Sequence, residues 1–241
     1  MTSVSVPTSL IHGIRADGVH WADCWNFSLA GTRTSVEVIA AIEGTPSLRD
    51  APMDVLRERP TQVPATFLSP FASLVFQGAM LRAGMRLGYG APPFQTRWFS
   101  DEDEQRTLLR SDRELLFEEV RRTASPDKPS RLTCIWAAEN TTAGRNYVEG
   151  LMGRQSFVVE VEVVVMIRVA KCDAHWLDHW QNAGVDAAGG YWSGQPMNED
   201  PLWEYLIEGS IRATDPDDVA RIREWAWNNI PPDIRGGAGP A

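Results

Sequence analysis

The 241-residue sequence predicts an α+β fold, one domain with small sheets at its core and helices around them. Three stretches carry that expectation. Residues 156–169, SFVVEVEVVVMIRV, are dense in β-branched side chains, and Glu160 and Glu162 alternate with valines as in a strand. Ser100 stands before Asp101, Glu102 and Asp103, a capping hydroxyl followed by acids at the positive end of a helix dipole. Residues 112–148 then read helix, strand, helix. Leu115, Leu116, Phe117 and Val120 supply the first helix's apolar side, and Pro126 and Pro129 end it, because proline has no N–H to donate. Residues 131–137, RLTCIWA, suit a short buried strand, and Asn140 is placed to cap a helix carrying Ala143, Tyr147 and Val148.

Taken in order, residues 9–15 read as a first strand or extended arm. Residues 36–42 are apolar and fit helix or strand equally. Residues 46–64 are a proline-punctuated loop with one helical turn near Val55 and Leu56. Residues 70–85 place Phe71, Leu74, Val75, Gly78 and Leu81 at helical spacing, and the loop GYGAPP follows. Residues 30–95 leave room for a small helical lobe or insertion. The helix from Ser100 runs to Ala124, with a break expected near Ser111. After the strand at 156–169, residues 173–181 read as a short helix and 184–194 as a glycine-rich loop holding Tyr191 and Trp192. Residues 203–213 read as two short strands joined at Glu208-Gly209. Asp215 caps a last helix with Pro216 at its first position and Val219, Ile222, Trp225 and Trp227 inside. Residues 236–241 form a frayed tail.

The formal net charge of −9 argues against attraction of the whole surface to nucleic acid or anionic membrane, while a local basic groove stays open. Three widely spaced cysteines imply no disulfide framework and fit a reducing cytoplasm. The first ten residues lack the basic and apolar regions of a signal peptide, and no window reaches the roughly 18 apolar residues of a membrane helix. Ten tryptophans are many for this length; they suit core positions or the walls of a pocket for a planar ligand.

Four constellations could carry chemistry. Cys172, His175 and His179, with Asp178 nearby, have the spacing of metal ligands on a helix, although Trp176 and Trp180 repeat the same period and fit an amphipathic helix as well. Arg97, Arg106, Arg110, Arg113, Arg121 and Arg122 interleave with acids, the pattern of a solvated, salt-bridged helix face. Arg131 enters the apolar strand at its edge, where a guanidinium suits a pyrophosphate or carboxylate, or a neighbouring acid. Glu204 opens another apolar strand between Trp203 and Tyr205, so it needs a partner or a ligand unless it faces water; Glu199, Asp200 and Glu208 are its rivals. No P-loop, GxGxxG or serine-hydrolase elbow is present.

Together these motifs resemble the ADP-ribosyltransferase superfamily. Leu10-Ile11-His12-Gly13-Ile14-Arg15 is similar to its first-strand His-Gly motif. Cys134-Ile135-Trp136-Ala137-Ala138, followed by Ala143 and Tyr147, is similar to its middle strand and helix, and residues 158–163 to its valine–glutamate–valine strand. Glu204-Tyr205-Leu206-Ile207 is similar to the strand that opens with the catalytic glutamate. The run from Leu116 to Ala137 also resembles bacterial and phage proteins of unassigned function associated with that fold. The resemblance implies a split β-sandwich that binds NAD, with Glu204 catalytic. It implies a cofactor site of His12, Gly13, Arg131, Trp136, Tyr147, Tyr191 and Trp192 converging on one cleft. Two departures stand out: Ile14 replaces the hydroxyl that follows His-Gly, and the family tyrosine would fall at Ile135 or Trp136.

The leading expectation is thus a cytoplasmic NAD-dependent ADP-ribosyltransferase. It would cleave the nicotinamide–ribose bond, with one fixed carboxylate stabilising the oxocarbenium-like charge, and pass ADP-ribose to an unknown macromolecular acceptor, protein or nucleic acid. The alternative is a non-catalytic nucleotide- or partner-binding protein on the same scaffold, which the two departures favour. A metal-dependent hydrolase rests on His175 and His179 alone.

Overall fold

The computed structural model describes residues 6–16, 21–59, 69–89, 97–152 and 156–229. Seven strands are described: β1 (Leu10–Arg15), β2 (Thr32–Thr34), β3 (Gly88–Tyr89), β4 (Arg97–Trp98), β5 (Ile135–Glu139), β6 (Ser156–Asp173) and β7 (Trp203–Ala213). The helices are α1 (Trp21–Ala30), α2 (Val36–Glu43), α3 (Met53–Glu58), α4 (Pro70–Arg82), α5 (Asp101–Ala124), α6 (Thr142–Met152), α7 (His175–Asp178), α8 (Trp180–Ala183), α9 (Val185–Ser193) and α10 (Pro216–Asn229). The fold mixes α and β around one antiparallel sheet, with β3 and β4 a separate hairpin.

That sheet closes on itself. β1 lies between β5 and β6, β5 pairs with β7, and β7 pairs with β6, so the last strand returns to the first. β6 is long enough to serve both neighbours: Ser156–Val161 pairs with β1, and Val161–Asp173 with β7. Two small sheets were expected, one strand of them near Leu132. Instead, β6 carries a single sheet round the bend, and Leu132 lies in a turn ahead of β5. The bend has a local cause. The β6–β7 register slips between Val163 and Val165 and again between Met166 and Arg168, and such bulges bend a strand. Opposite them stands Gly209, where an added Cβ would lie 1.9 Å from the Val165 carbonyl oxygen.

Strand alternation divides the core in two. Leu10, Ile14, Ile135, Ala137, Val159, Tyr205 and Ile207 face α1 and α10, packing with Phe27 and Ile222. Ile11, Trp136, Ala138, Cys172 and Leu206 face α5, α6 and α9. A third cluster docks α3 and α4 on α5, through Leu56, Ala72, Val75 and Leu115, and takes in Leu132.

Local signals placed some elements as expected, and tertiary contacts changed others. Ser100 and Asp103 form a reciprocal capping box, and α5 runs unbroken past Ser111 because that side chain is buried against Gly78 of α4. Residues 36–43 are helical. Residues 203–213 form one strand, since Gly209 sits inside the β6–β7 ladder and makes no turn. Residues 131–134 turn before β5, with the Thr133 and Cys134 amides donating to the Ser130 carbonyl. Thr141, not Asn140, caps α6, its hydroxyl accepting from the Gly144 amide at 3.0 Å; Asn140 instead bonds Ser9 and Glu160.

The largest difference is α9, a helix where a glycine-rich loop was expected. Gly190 is there for helix packing: a Cβ would lie 2.6 Å from the Trp176 indole. The expected helix over 173–181 is split at His179 into α7 and α8. The tail at 236–241 and the loop positions 60–64 and 90–93 lie outside the described residues.

Candidate functional site

The Glu204 carboxylate is fully buried at the start of β7, opposite Ala138 of β5 and Cys172 of β6, on the face covered by α5, α6 and α9. Oε1 accepts from Nη1 of Arg131 and from the Tyr191 hydroxyl. Oε2 accepts from the Trp136 indole N–H and, at 3.3 Å, from the Tyr147 hydroxyl. A carboxylate offers about four lone-pair sites, so these donors saturate it.

Each donor comes from a different element: the turn before β5, β5 itself, α6 and α9. Arg131 also reaches α5, where its Nε donates to Glu114 at 2.8 Å, and its guanidinium lies 4.1 Å from the centre of the Phe71 ring. Arg113 bonds Glu114 from the other side at 2.9 Å. The charges therefore alternate along Arg113, Glu114, Arg131 and Glu204, and the row is neutral.

Its electrostatics follow from burial opposed by pairing. Burial alone would raise the Glu114 carboxyl, but Arg131 and Arg113 outweigh it and hold the group below the ordinary glutamate range. Burial would lower Arg131, yet Glu114, Tyr191 and Glu204 together raise it well above the usual arginine value. Burial pushes the Tyr191 and Tyr147 hydroxyls well up, with Glu204 adding to both. The neighbouring Cys172 thiol is pushed up to about 12 by burial and Glu204, so it stays protonated.

The structure thus gathers Arg131, Trp136, Tyr147 and Tyr191 around Glu204, and it does not bring His12, Gly13 or Trp192 there. His12 pairs with Val159 of β6, while its neighbour Ile11 pairs with Ala138 of β5, so by alternation His12 takes the α1/α10 face with Leu10 and Val159, on the opposite side of the sheet from Glu204. Its Nδ1 is 2.6 Å from the Trp136 carbonyl and its Nε2 is 3.3 Å from Arg33. Gly13 faces the other way, against Val148 and Met152 of α6. Trp192 donates its indole N–H to the Phe117 carbonyl at 2.7 Å and meets Tyr191 edge-on.

Sequence reading missed Glu114 as a member of this cluster and took its helix face as solvated. Ser111, Glu114, Glu118 and Arg121 form a buried polar row along α5, with Glu118 bonding Arg121, Arg122 and Ser130. Their spacing of three and four residues, on the side that carries Leu115, was the available signal. Glu208, on the same face as Glu204, is bound by Arg49 at 2.9 Å and by Arg168. Among the described residues no group of three His, Cys, Asp or Glu side chains gathers to hold a metal ion. His175 pairs instead with Asp173 at 3.0 Å. Among the described residues no helix is long and apolar enough to cross a membrane. A separate open depression of about 590 Å³ lies between α2 and α3, lined by residues such as Glu37, Ser47, Asp50 and Val55, none of them from the Glu204 cluster.

A family model described as "Protein of unknown function (DUF2441)" matches residues 99–220, which run from the cap of α5 into α10. The chain belongs to the DUF2441 family. The matched span of this DUF2441 chain contains Glu114, Arg131, Trp136, Tyr147, Tyr191 and Glu204, and it omits β1 with His12. No curated protein matches the chain.

Proposed function

We propose that this DUF2441 protein is a non-catalytic, partner-binding protein on a scaffold resembling that of the ADP-ribosyltransferases. The observation that carries the reading is the saturation of Glu204. A carboxylate that stabilises an oxocarbenium-like charge must face the ribose, and this one is fully buried, with both oxygens occupied by protein donors. Its chemistry suits a structural role, tying β7 to the turn before β5, to β5 itself, to α6 and to α9. His12 lies across the sheet from it and so is not placed to share a ligand. Function then falls to the surface, where β6 offers an exposed apolar edge. A cytoplasmic setting suits the three buried thiols, Cys24, Cys134 and Cys172.

A second reading, an NAD-dependent ADP-ribosyltransferase with a macromolecular acceptor, is favoured by one feature: Arg131, Trp136, Tyr147 and Tyr191 do converge on a strand-start glutamate. In that reading Tyr147, the half-buried and longest-range donor, must swing away to admit the nicotinamide ribose. Incubation with labelled NAD, with and without cell lysate, separates the two. The non-catalytic reading expects no labelled acceptor and no nicotinamide release above the blank. Turnover that Glu204→Gln abolishes would overturn it.

A further inference from the structure

β6 has two edges. Ser156–Val161 uses one edge for β1, and Val161–Asp173 uses the other for β7, so beyond Val161 the first edge runs on with no described strand beside it. On that stretch Val164, Val165, Met166 and Ile167 are 46–56% exposed, four consecutive apolar side chains in one strand. A free, apolar strand edge is a template for another strand, and proteins ordinarily blunt it with charge or cover it.

The charges flanking this stretch say what covers it. Glu162 pairs across the ladder with Arg212, and Arg168 with Glu208. Both pairs lie on one face of the sheet, because the two register slips between them cancel in parity. In a second copy laid antiparallel about a twofold axis at Val165, residue 162 meets residue 168 of that copy. The row across four strands is then Arg212, Glu162, Arg168 and Glu208, the last two from the second copy, with sign alternating at every step. Directly opposed strand residues of unlike charge support pairing and like charges oppose it. An isologous contact of this kind also closes, because both copies use the same edge of β6.

We propose, building on the partner-binding reading above, that the partner at this edge is a second copy of the chain, joined β6 to β6 with Val165 on the twofold axis. The exposed apolar stretch of the edge is four residues long, a short contact beside a standard interface of roughly 20–30 residues a side, so the dimer is concentration-dependent.

Sedimentation velocity on the full chain up to about 200 μM tests this, and association is expected across that range. Val165→Lys puts a charge on the axis without touching an ion pair, and it should weaken the dimer at least about tenfold. Glu162→Lys and Arg168→Glu should each weaken self-association, because each sets like charges opposite one another twice. Mixed together, the two variants should recover a heterodimer, since both contacts regain opposite signs. Melting curves establish that each variant is folded. A wild type that stays monomeric, a dimer indifferent to Val165→Lys, or charge variants that do not rescue each other would overturn the proposal. NAD turnover is a separate readout and bears on the non-catalytic reading alone.

Discussion

Glu204→Gln separates a structural carboxylate from a catalytic one through stability. The substitution keeps the side chain's size but replaces one accepting oxygen with an NH₂ group. With the amide oxygen turned to Arg131 and Tyr191, the NH₂ faces the Trp136 indole N–H, donor against donor. Arg131 is left with Glu114 as its one remaining acid, inside a core where its own side chain is 2% exposed. Removing one partner of a buried ion pair costs about 3–5 kcal/mol. For a chain of this size each kcal/mol moves Tm by about 2–4 °C, so the expected drop is roughly 6–20 °C. Thermal and urea melts followed by circular dichroism measure it. Glu208→Gln is the internal control: Arg168, one of its two partners, is 41% exposed, so solvent screens part of the loss and the drop should be smaller. A Glu204→Gln protein melting within about 1 °C of wild type would refute the reasoning, because such a carboxylate would be solvated, without its four donors.

Two further perturbations follow from the same geometry. Gly209→Ala would drive a methyl group into the Val165 backbone where β6 bends; backbone cannot give way as a side chain can, so stability should fall by about 1–3 kcal/mol or more in a urea melt. The pH dependence has a definite sign. Glu114 is depressed in the native state, so its contribution is present above the ordinary glutamate value of about 4.3 and is lost as pH falls below it, where the unfolded chain binds the proton first. Tyr191 and Tyr147 are raised, so stability should also decline as pH climbs past about 10, where the unfolded tyrosines ionise first. Melting midpoints from pH 3 to 11 test both limbs, and Glu114→Gln should flatten the acid one.

Much of the secondary structure was legible because its causes are local. The cap at Ser100, the alternation through 156–163 and the Asp215-Pro216 start of α10 each depend on neighbours in sequence, and each marks a described element. Arg131, Trp136, Tyr147 and Tyr191, expected from the resemblance as part of a cofactor cleft, do lie together at Glu204, but as its hydrogen-bond donors, and a strand-start carboxylate among apolar neighbours requires such donors.

What the sequence by itself determined was therefore periodicity, caps and the need for a partner at Glu204. Tertiary structure alone decided the rest, since each remaining feature depends on groups far apart in the chain. Gly190 reads as a loop residue until the Trp176 indole lies against it, which makes the glycine a packing choice within α9. Gly209 reads as a turn until β6 crosses over it and makes 203–213 one strand. Glu114 reads as a solvated helix charge until Arg131, seventeen residues later, supplies the countercharge that allows its burial. The register of β1 against β5 and β6, set by pairing across more than a hundred residues, turns His12 to the opposite face from Glu204. Side chains alternate with a period of two, so a register that no local signal encodes decides which residues can share a site.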